Sequence, residues 1–482
     1  MHLITEIGYF GWVAVFAPFR LRYFLCKNKI TMNLSSDFIE QTRSLFGEER
    51  YARFLDDVAR DPVVSVRLNP AKPGVEWGGD SVPWAAQGRY IASRPSFTAD
   101  PLFHAGCYYV QEASSMFLEQ VMRRYVDAPV RMLDLCAAPG GKSTHAISLL
   151  PEGSLFVANE PMPLRAAVLA ENIIKWGSPS TVVTRNEPAD FAPFKEFFDV
   201  IVVDAPCSGE GMFRKDERAV SMWSPSNVKT CVSRQRTILS DIWGSLRPGG
   251  LLVYSTCTFN RHEDEDMVAW ICDELGAEAL PVDVEPQWGV TGNLVGGSEP
   301  VYRFIPGYTK GEGFFLALLR KDGDAPVSQP RPPRTKAAPL PKVCKDMKGW
   351  LTSDDYTLMV DGEEIVALPT KHQAAIAALQ ARLKVLHCGV PMAAVKNNKL
   401  LPMHPLAMST LLNREAFPMV ELSCEQALAY LHREALSIPS APMGGILFTY
   451  KNVPLGFAKN VGNRVNNLYP AEWRIRKDPM EL

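Results

Sequence analysis

The feature that most constrains the fold is the alternation of short apolar runs with amphipathic segments through the middle of the chain. Five apolar runs have the length and composition of buried strands: VRMLDLCAA, SLFVANE, STVVTRNE, FDVIVVDAP and LLVYSTCTF. Segments with helical periodicity separate them, including a long one from about Pro225 to Leu246 that Ser224 caps and RPGG ends. Strands that alternate with helices predict an α/β fold with a doubly wound, mostly parallel sheet.

The 482 residues exceed one ordinary core, so we expect several domains. After the last helix, EPVYRFIPG and GEGFFLALLRK predict an antiparallel hairpin that closes the sheet, and the proline-rich stretch GDAPVSQPRPPRTKAAPLPKV predicts a linker. The predicted divisions are a non-native extension (1–31), an N-terminal α/β region (32–110), a central α/β core (111–322), the linker (323–343) and a separate C-terminal unit (344–482).

The apolar start, LITEIGYFGWVAVFAPF, resembles a signal or an anchor in composition only. It contains Glu6, has no basic start, and is shorter than the roughly 20 residues that span a bilayer. We expect Met32 to be the native start, because a capped amphipathic helix follows it. The ten cysteines form no CxxC pair, which argues against zinc and disulfides and predicts a cytoplasmic protein without a membrane partner. Because the net charge is −2, the chain as a whole does not attract nucleic acid, and any nucleic-acid site would have to be a local basic patch.

A glycine loop follows the first predicted strand in MLDLCAAPGGKSTH. It is not the phosphate loop GxxxxGK[ST], because Cys136 stands where the first glycine belongs, and it does not match GxGxxG. Glu160 ends the next strand about twenty residues later, where nucleotide folds bind a ribose hydroxyl. Asn186 and Glu187 follow the third strand and Asp204 ends the fourth. Together these residues predict an adenosine-bearing cofactor, although each acid alone could be a helix cap.

Two cysteines follow the last two predicted strands. Cys207 comes after a proline in DAPCSGEGMFRK, and Cys257 lies in YSTCTF. If these strands are neighbours, both thiols face one cleft at the carboxyl edge of the sheet. Buried structural thiols are the alternative for any single cysteine. Spacing does not decide which of the two thiols would attack a substrate.

These motifs resemble a known family. DLCAAPGGKSTH, NEPMPLRAAVLAENIIKWG, VDAPCSGEGMFRKD and YSTCTFNRHEDE are similar to the motif series of the Nop/Sun family of RNA cytosine-C5 methyltransferases. GEGFFLALLRK and NRVNNLYPAEWRIR resemble the bacterial RsmF (YebU) group within it, apart from Gly307, where a histidine is expected. The resemblance implies a Rossmann-like class I core that uses S-adenosyl-L-methionine, a small N-terminal RNA-binding region and a C-terminal PUA-like domain.

The resemblance also implies roles for single residues. Cys257 would be the nucleophile that adds to carbon 6 of cytosine, and Cys207 would assist product release. Asp204 would engage the N3 and amino edge of the base, with Lys142 between cofactor and base. The implied cofactor contacts are Cys136, Ala137, Ala138, Pro139, Gly140, Gly141, Lys142, Glu160, Asn186, Glu187 and Asp204.

The expected partner is RNA, either ribosomal RNA or the small ribosomal subunit, bound by a monomer. Arg214, Lys215 and Arg218 are candidate backbone contacts, and Arg67 is a weaker one. The C-terminal segment mixes aromatic and basic residues, which suits stacking and phosphate contact; these are Lys451, Lys459, Arg464, Tyr469, Trp473, Arg474, Arg476 and Lys477. Two alternatives remain open: the same chemistry on transfer RNA or large-subunit RNA, and a nonenzymatic RNA-binding assembly factor.

Overall fold

The N-terminal region combines one long helix with a small antiparallel sheet. The computed structural model describes residues 34–330, 338–436, 438, 441–462 and 464–476, so the predictions for 1–31 concern residues outside it. The elements of this region are α1 (Ser36–Val58), β1 (Val64–Leu68), β2 (Gly88–Ile91), α2 (Pro101–His104) and β3 (Tyr108–Val110). The predicted cap of α1 is present, since the backbone N–H of Phe38 donates to the side chain of Ser35. Strand β1 lies between β2 and β3.

The central region contains the predicted doubly wound sheet. Its elements are α3 (Leu118–Tyr125), β4 (Arg131–Asp134), α4 (Gly141–Leu149), β5 (Leu155–Asn159), α5 (Pro163–Trp176), β6 (Thr181–Thr184), β7 (Phe198–Asp204), α6 (Glu217–Met222), α7 (Pro225–Trp243), β8 (Leu246–Thr256), α8 (Glu265–Leu275), β9 (Ala277–Leu280), β10 (Tyr302–Phe304) and β11 (Phe314–Lys321). The five predicted strands are parallel in the order β8-β7-β4-β5-β6. The hairpin of β10 and β11 is antiparallel and joins β8, as predicted.

Apolar side chains on both faces of this sheet explain the alternating pattern. Residues of α7 and α8 pack on one face, around Leu133 and Ile201. Residues of α3, α4 and α5 pack on the other face, around Met132 and Val202. Strands covered on both sides need continuous apolar runs, and the sequence has them. Within the described residues, no helix is both long enough and apolar enough to cross a bilayer.

The predicted end of the long helix is wrong. Helix α7 ends at Trp243, and the RPGG motif lies inside strand β8. Leu246 pairs with Phe198, and the register then shifts so that Leu251 pairs with Val200. The two glycines accommodate this irregularity, which a helix-stop motif in the sequence does not reveal.

The C-terminal region has two small sheets and one strand that belongs elsewhere. Its elements are β12 (Tyr356–Asp361), β13 (Glu364–Pro369), α9 (Gln373–Gln380), β14 (Val385–Cys388), β15 (Val390–Lys396), β16 (Lys399–Pro402), α10 (His404–Met408), β17 (Met419–Glu421), α11 (Cys424–His432), β18 (Gly444–Tyr450), β19 (Val453–Asn460) and β20 (Val465–Asn467). The two small sheets have the orders β12-β13-β15-β16 and β17-β18-β19-β20.

The prediction of a separate C-terminal unit is wrong for its first part. Strand β14 pairs with β6 and extends the central sheet. Val366, Ile376 and Leu379 pack into the same apolar core as Leu133 and the helices of the central region. The residues from Met32 onward accordingly form one unit rather than several.

The start of the predicted linker is also fixed to the core. The backbone N–H of Ser328 donates to the carbonyl of Glu196, and Arg131 donates to the carbonyl of Ser328. Ala325 N–H donates to the carbonyl of Pro248. A proline-rich composition therefore does not make residues 323–330 a free connection, while residues 331–337 lie outside the description.

Candidate active site

The two cysteines singled out in the sequence lie side by side. Strands β7 and β8 are neighbours, and Cys207 and Cys257 follow their carboxyl ends with the two Sγ atoms 3.2 Å apart. Both are free thiols. The backbone N–H of Gly211 donates to the carbonyl of Cys257 at 2.9 Å, which ties the two loops together. The structure thus brings both predicted residues to one edge of the sheet.

Charges around the two sulfur atoms differ. The hydrogen bond with Cys257, burial and the charges of Cys257 and Glu263 raise the pKa of Cys207 well above its ordinary value. Burial works against the charged form of Lys142, but Asp204 and then Cys257 outweigh it and raise the pKa of that lysine. The charge of Cys257 thus acts on Lys142, whereas the charge of Glu263 acts on Cys207.

Asp204 links this pair to the lysine of the glycine loop. Its Oδ2 accepts the Lys142 ammonium at 2.8 Å, and its Oδ1 accepts the hydroxyl of Ser255 at 2.8 Å. The lysine nitrogen also lies 4.9 Å from the ring centre of Phe314. Because the side chain of Asp204 is 34% exposed, it remains accessible to a ligand in the cleft.

The predicted cofactor loop is held from several sides. Gly140, the N-cap residue directly before α4, has a φ of 111°, a conformation that favours glycine. Arg165 and Asn172 of α5 donate to the carbonyls of Ala138 and Pro139 at 2.9 and 2.8 Å. The backbone N–H of Ala137 donates to the carbonyl of Asn159, the last residue of β5.

Acidic residues converge around Cys136 in this loop. Burial raises the pKa of the Cys136 thiol well above its ordinary value, and Asp134, Asp204 and Glu160 raise it further. Three acidic residues at three strand ends therefore all act on this one thiol.

The remaining predicted acids differ in their surroundings. Glu160 is buried and lies 3.3 Å from Arg165; burial raises its pKa, and nearby Glu187 contributes. Glu187 is exposed. The side chain of Asn186 donates to Asp190 and accepts the backbone N–H of Lys384, so it supports the loop rather than facing the cleft freely.

Asp134 is a site residue that the sequence reading missed. Its Oδ2 accepts the hydroxyl of Ser143 at 2.6 Å, while its Oδ1 is buried without a hydrogen-bond partner. Burial raises its pKa to about 7. The site is thus rich in acceptors and suits a ligand that offers ammonium, hydroxyl and amino donors. The signal was present, because Asp134 ends β4 as Asp204 ends β7.

Among the candidate RNA contacts near Cys207, the prediction for Arg214 is wrong. This arginine is buried and donates to Asp57 of α1 and to Glu312. Arg218 is exposed but paired with Asp216, and Lys215 lies 3.4 Å from Glu312. Arg214 instead fastens the loop that follows Cys207 to the N-terminal helix α1.

Two other candidate contacts are also buried. Arg67 is enclosed and donates to Gln111 and Thr144 at 2.7 and 2.6 Å, so it cannot reach a phosphate at the surface. Tyr469 is 0% exposed and cannot stack on a base. The described basic residues of the C-terminal segment are exposed, and Lys477 lies outside the described residues; the exposed ones are Lys451, Lys459, Arg464, Arg474 and Arg476.

Family models match three stretches of the chain. The model described as 16S rRNA methyltransferase RsmB/F matches residues 126–320. The N-terminal domain of 16S rRNA methyltransferase RsmF matches 34–113, and the methyltransferase RsmF PUA domain matches 417–475. Together these matches span the N-terminal region, the central sheet and the end of the C-terminal region.

Curated relatives match over most of their length. Ribosomal RNA small subunit methyltransferase F from Escherichia coli O127:H6 is 31% identical over 436 residues, covering 85% of this chain and 89% of that protein. Its namesake from Salmonella paratyphi A is 31% identical over 440 residues with the same coverage. Among solved structures, a methyltransferase homologue from Pyrococcus horikoshii is 27% identical with a TM-score of 0.52, covering 60% of this chain and 96% of that one.

Proposed function

The chain belongs to the RsmB/F family of 16S rRNA methyltransferases, and we propose that it forms 5-methylcytosine in small-subunit ribosomal RNA, with S-adenosylmethionine as the methyl donor. The observation that carries this proposal is the pair of thiols 3.2 Å apart at the ends of β7 and β8. A binding protein has no need of two such thiols beside an acceptor-rich glycine loop. We further propose that it works on ribosome components in the cytoplasm, as a monomer.

The loop residues and the surrounding acids are proposed to hold S-adenosylmethionine, which supplies the methyl group. Glu160 suits the ribose hydroxyls, because it ends the strand after the glycine loop. The unpartnered oxygen of Asp134 suits a donor such as the ammonium group. Glu187 is a further proposed contact, and Asn186 supports the loop that carries it. The other proposed cofactor contacts are Cys136, Ala137, Ala138, Pro139, Gly140, Gly141, Lys142 and Asp204.

Carbon 5 of cytosine is too weak a nucleophile to accept a methyl group directly. A thiolate that adds to carbon 6 pushes electron density onto carbon 5. We assign this role to Cys257, since the Lys142 ammonium stabilises negative charge on that side of the pair. A neighbouring cation lowers the free energy of a thiolate and increases the fraction that can attack.

Cys207 is assigned to product release. After methyl transfer the base is still bonded to Cys257, and carbon 5 must lose its proton before the bond between carbon 6 and sulfur can break. The raised pKa of Cys207 supports this role, since its thiolate is a stronger base than an ordinary one. Elimination restores the double bond and returns the electron pair to Cys257.

Asp204 is proposed to hold the base during this sequence. A carboxyl group at the N3 and amino edge can stabilise the activated ring, and Asp204 is oriented by both Lys142 and Ser255. The target cytosine must be unstacked to admit a thiol to one face, so an accessible or flipped base is expected.

Binding to RNA is proposed for the regions at both ends of the described chain. The N-terminal region and the PUA-matching stretch carry this assignment. Exposed cations of the latter, such as Lys451, Lys459 and Arg464, are available for phosphate contacts. We propose the divisions 32–110, 111–322, 323–343 and 344–482 as regions of one unit, in which residues 323–330 and β14 with its neighbours are attached to the central sheet.

The experiment that tests this function compares possible RNA substrates. The purified protein is incubated with methyl-labelled S-adenosylmethionine and, separately, small subunits, naked 16S rRNA, 23S rRNA and transfer RNA. Nuclease digestion and mass spectrometry are expected to find labelled 5-methylcytosine in 16S rRNA, free or assembled. Label confined to transfer RNA or 23S rRNA would overturn the substrate, and no labelled cytosine in any RNA would overturn the activity.

A further inference from the structure

A buried carboxylate, Glu263, connects the loops of the two cysteines. It is 0% exposed and lies just before α8. Its Oε2 accepts the backbone N–H of Ser208 at 3.0 Å, directly after Cys207. Its Oε1 accepts the side-chain amide of Asn260, three residues after Cys257, at 2.8 Å.

A third donor braces the same loop from the other side. The side-chain amide of Gln235 on α7 donates to Oε2 of Glu263 at 2.8 Å and to the carbonyl of Pro206 at 3.1 Å. Glu263 and Gln235 therefore hold the residues on both sides of Cys207. Through Asn260, the same carboxylate holds the loop of Cys257 at a fixed distance from them.

The donors around Glu263 favour its charged form. All three are N–H groups, which a carboxylate accepts fully and a protonated carboxyl accepts less well. Burial still raises the pKa of Glu263 to about 7. No lysine or arginine nitrogen in the described ranges lies within salt-bridge distance of it; the nearby arginine, Arg303, pairs with Asp264 and Glu265.

None of the titratable groups near Glu263 is a cation that would neutralise its charge, so this charge acts on Cys207. Its titratable neighbours are Glu210, Asp264, Tyr254, Cys231 and Cys207. Burial or neighbouring charge raises the pKa of Tyr254 and Cys231, so both are neutral near pH 7. The negative charge of Glu263 is one of the causes that raise the pKa of Cys207.

We propose that Glu263 is a positioning residue of the methyl transfer: it fixes the Cys207 loop against the Cys257 loop and makes the Cys207 sulfur the proton acceptor of the pair. This inference rests on the function proposed above. In the release step Cys207, having lost its proton to water, takes the carbon 5 proton. The electron pair of that C–H bond forms the ring double bond, the bond from carbon 6 to sulfur breaks, and its pair returns to Cys257.

The first variant is Glu263→Gln, assayed in the full-length protein with 16S rRNA and S-adenosylmethionine. The side-chain amide of the glutamine places an N–H donor against the N–H donors that surround Glu263, and it removes the negative charge of the carboxylate. We expect release to slow by roughly tenfold, less than the 10² to 10⁴ that a general acid or base contributes, so that the denaturant-resistant protein–RNA adduct accumulates. Because the charge that raises the pKa of Cys207 is gone, the pH of half-maximal release moves downward.

The second variant, Gln235→Met, separates position from charge. It removes the brace on Pro206 and one of the three donors to Glu263 but keeps the carboxylate itself. Release should therefore slow, with a smaller shift of its pH midpoint than in Glu263→Gln. Asp266→Asn is the control: this carboxylate lies in the first turn of α8 and pairs with Arg261 and His262 rather than with Ser208, Asn260 or Gln235. It should leave the release rate and the pH midpoint unchanged.

Attack and release are measured separately. RNA that contains 5-fluorocytosine cannot lose the fluorine on carbon 5 after methyl transfer, so the adduct trapped on it reports attack and methyl transfer without release. Attack should remain near the wild-type rate in both variants. Wild-type release and pH midpoint in folded Glu263→Gln, or wild-type release in Gln235→Met, would overturn the inference. Failure of the unaltered protein to methylate RNA or form the fluorocytosine adduct would instead overturn the proposed function.

Discussion

At the scale of single residues, the two thiols are distinguished by their charged neighbours rather than by their own positions. Both follow strand ends, and their sulfur atoms touch. The charge of Cys257 acts on Lys142, and the charge of Glu263 acts on Cys207. The proposed nucleophile and the proposed release group therefore follow from two side chains that lie outside the thiol pair.

Lys142→Met should slow the attack of Cys257 on the base. The variant removes the cation beside the thiolate, so adduct formation on 5-fluorocytosine RNA is expected to fall by roughly 10- to 100-fold at pH 7. Lys371→Met, which removes an exposed lysine, is the control. An unchanged rate in Lys142→Met would exclude the lysine from thiolate stabilisation.

Strand-end residues could be predicted from the sequence, and residues held by tertiary contacts could not. Asp204, Cys207 and Cys257 follow directly from strand positions in a parallel sheet. Arg214 and Tyr469 looked like surface residues, because nothing local shows that Asp57 and Glu312 enclose the first and that an apolar core encloses the second. Glu263 lies in a quoted motif, but its contacts join three separate segments of the chain.

At the scale of elements, two glycine-containing loops set the position of Cys207. A Cβ on Gly211 would lie 2.5 Å from the carbonyl oxygen of Gly313, and one on Gly313 would lie 2.3 Å from the ring of Phe259. The backbone of Gly211 cannot move away freely from Gly313, because its N–H also donates a hydrogen bond to the carbonyl of Cys257. The close approach of these loops therefore requires residues without side chains.

Gly211→Ala should reduce activity more than stability. The added methyl group forces the loops apart and costs about 1–3 kcal/mol of folding free energy, while the displaced Cys207 slows release. Gly349→Ala is a suitable control, since no atom lies within 4 Å of its added Cβ. Unfolding in urea and single-turnover methylation measure the two effects. Wild-type turnover in folded Gly211→Ala would contradict the proposed loop contact.

Periodicity predicted the elements of the central sheet but not all of its edges. The alternating apolar runs located β4 to β8, and the hairpin of β10 and β11 followed from its two apolar segments. Strand β14 was missed because it has four residues and pairs with β6, some 200 positions earlier. Local pattern carries no information about such distant pairing.

At the scale of the whole molecule, the central sheet and the C-terminal region share one core. Leu379 on α9 is completely buried and belongs to the cluster that contains Leu133 and Leu155 of the sheet. The two regions therefore stabilise each other, and the described chain should unfold cooperatively rather than in independent parts.

Leu379→Ala should destabilise the entire protein in one transition. Removal of a buried leucine costs about 2–5 kcal/mol, and the shared core transmits this loss to both regions. Circular dichroism and intrinsic fluorescence during urea unfolding should shift together. Leu340→Ala, at an exposed position, should change the midpoint little. Two separated transitions, with only one of them shifted, would show that the regions fold independently.

The most direct test of the central claim compares alanine variants of the two thiols. Each variant is incubated with 16S rRNA and S-adenosylmethionine, and protein–RNA adducts are resolved on a denaturing gel. Cys207→Ala is expected to accumulate an adduct that it cannot release, while Cys257→Ala should form none and lose methylation. Methylation by Cys257→Ala, or an adduct in that variant and none in Cys207→Ala, would contradict the assignment.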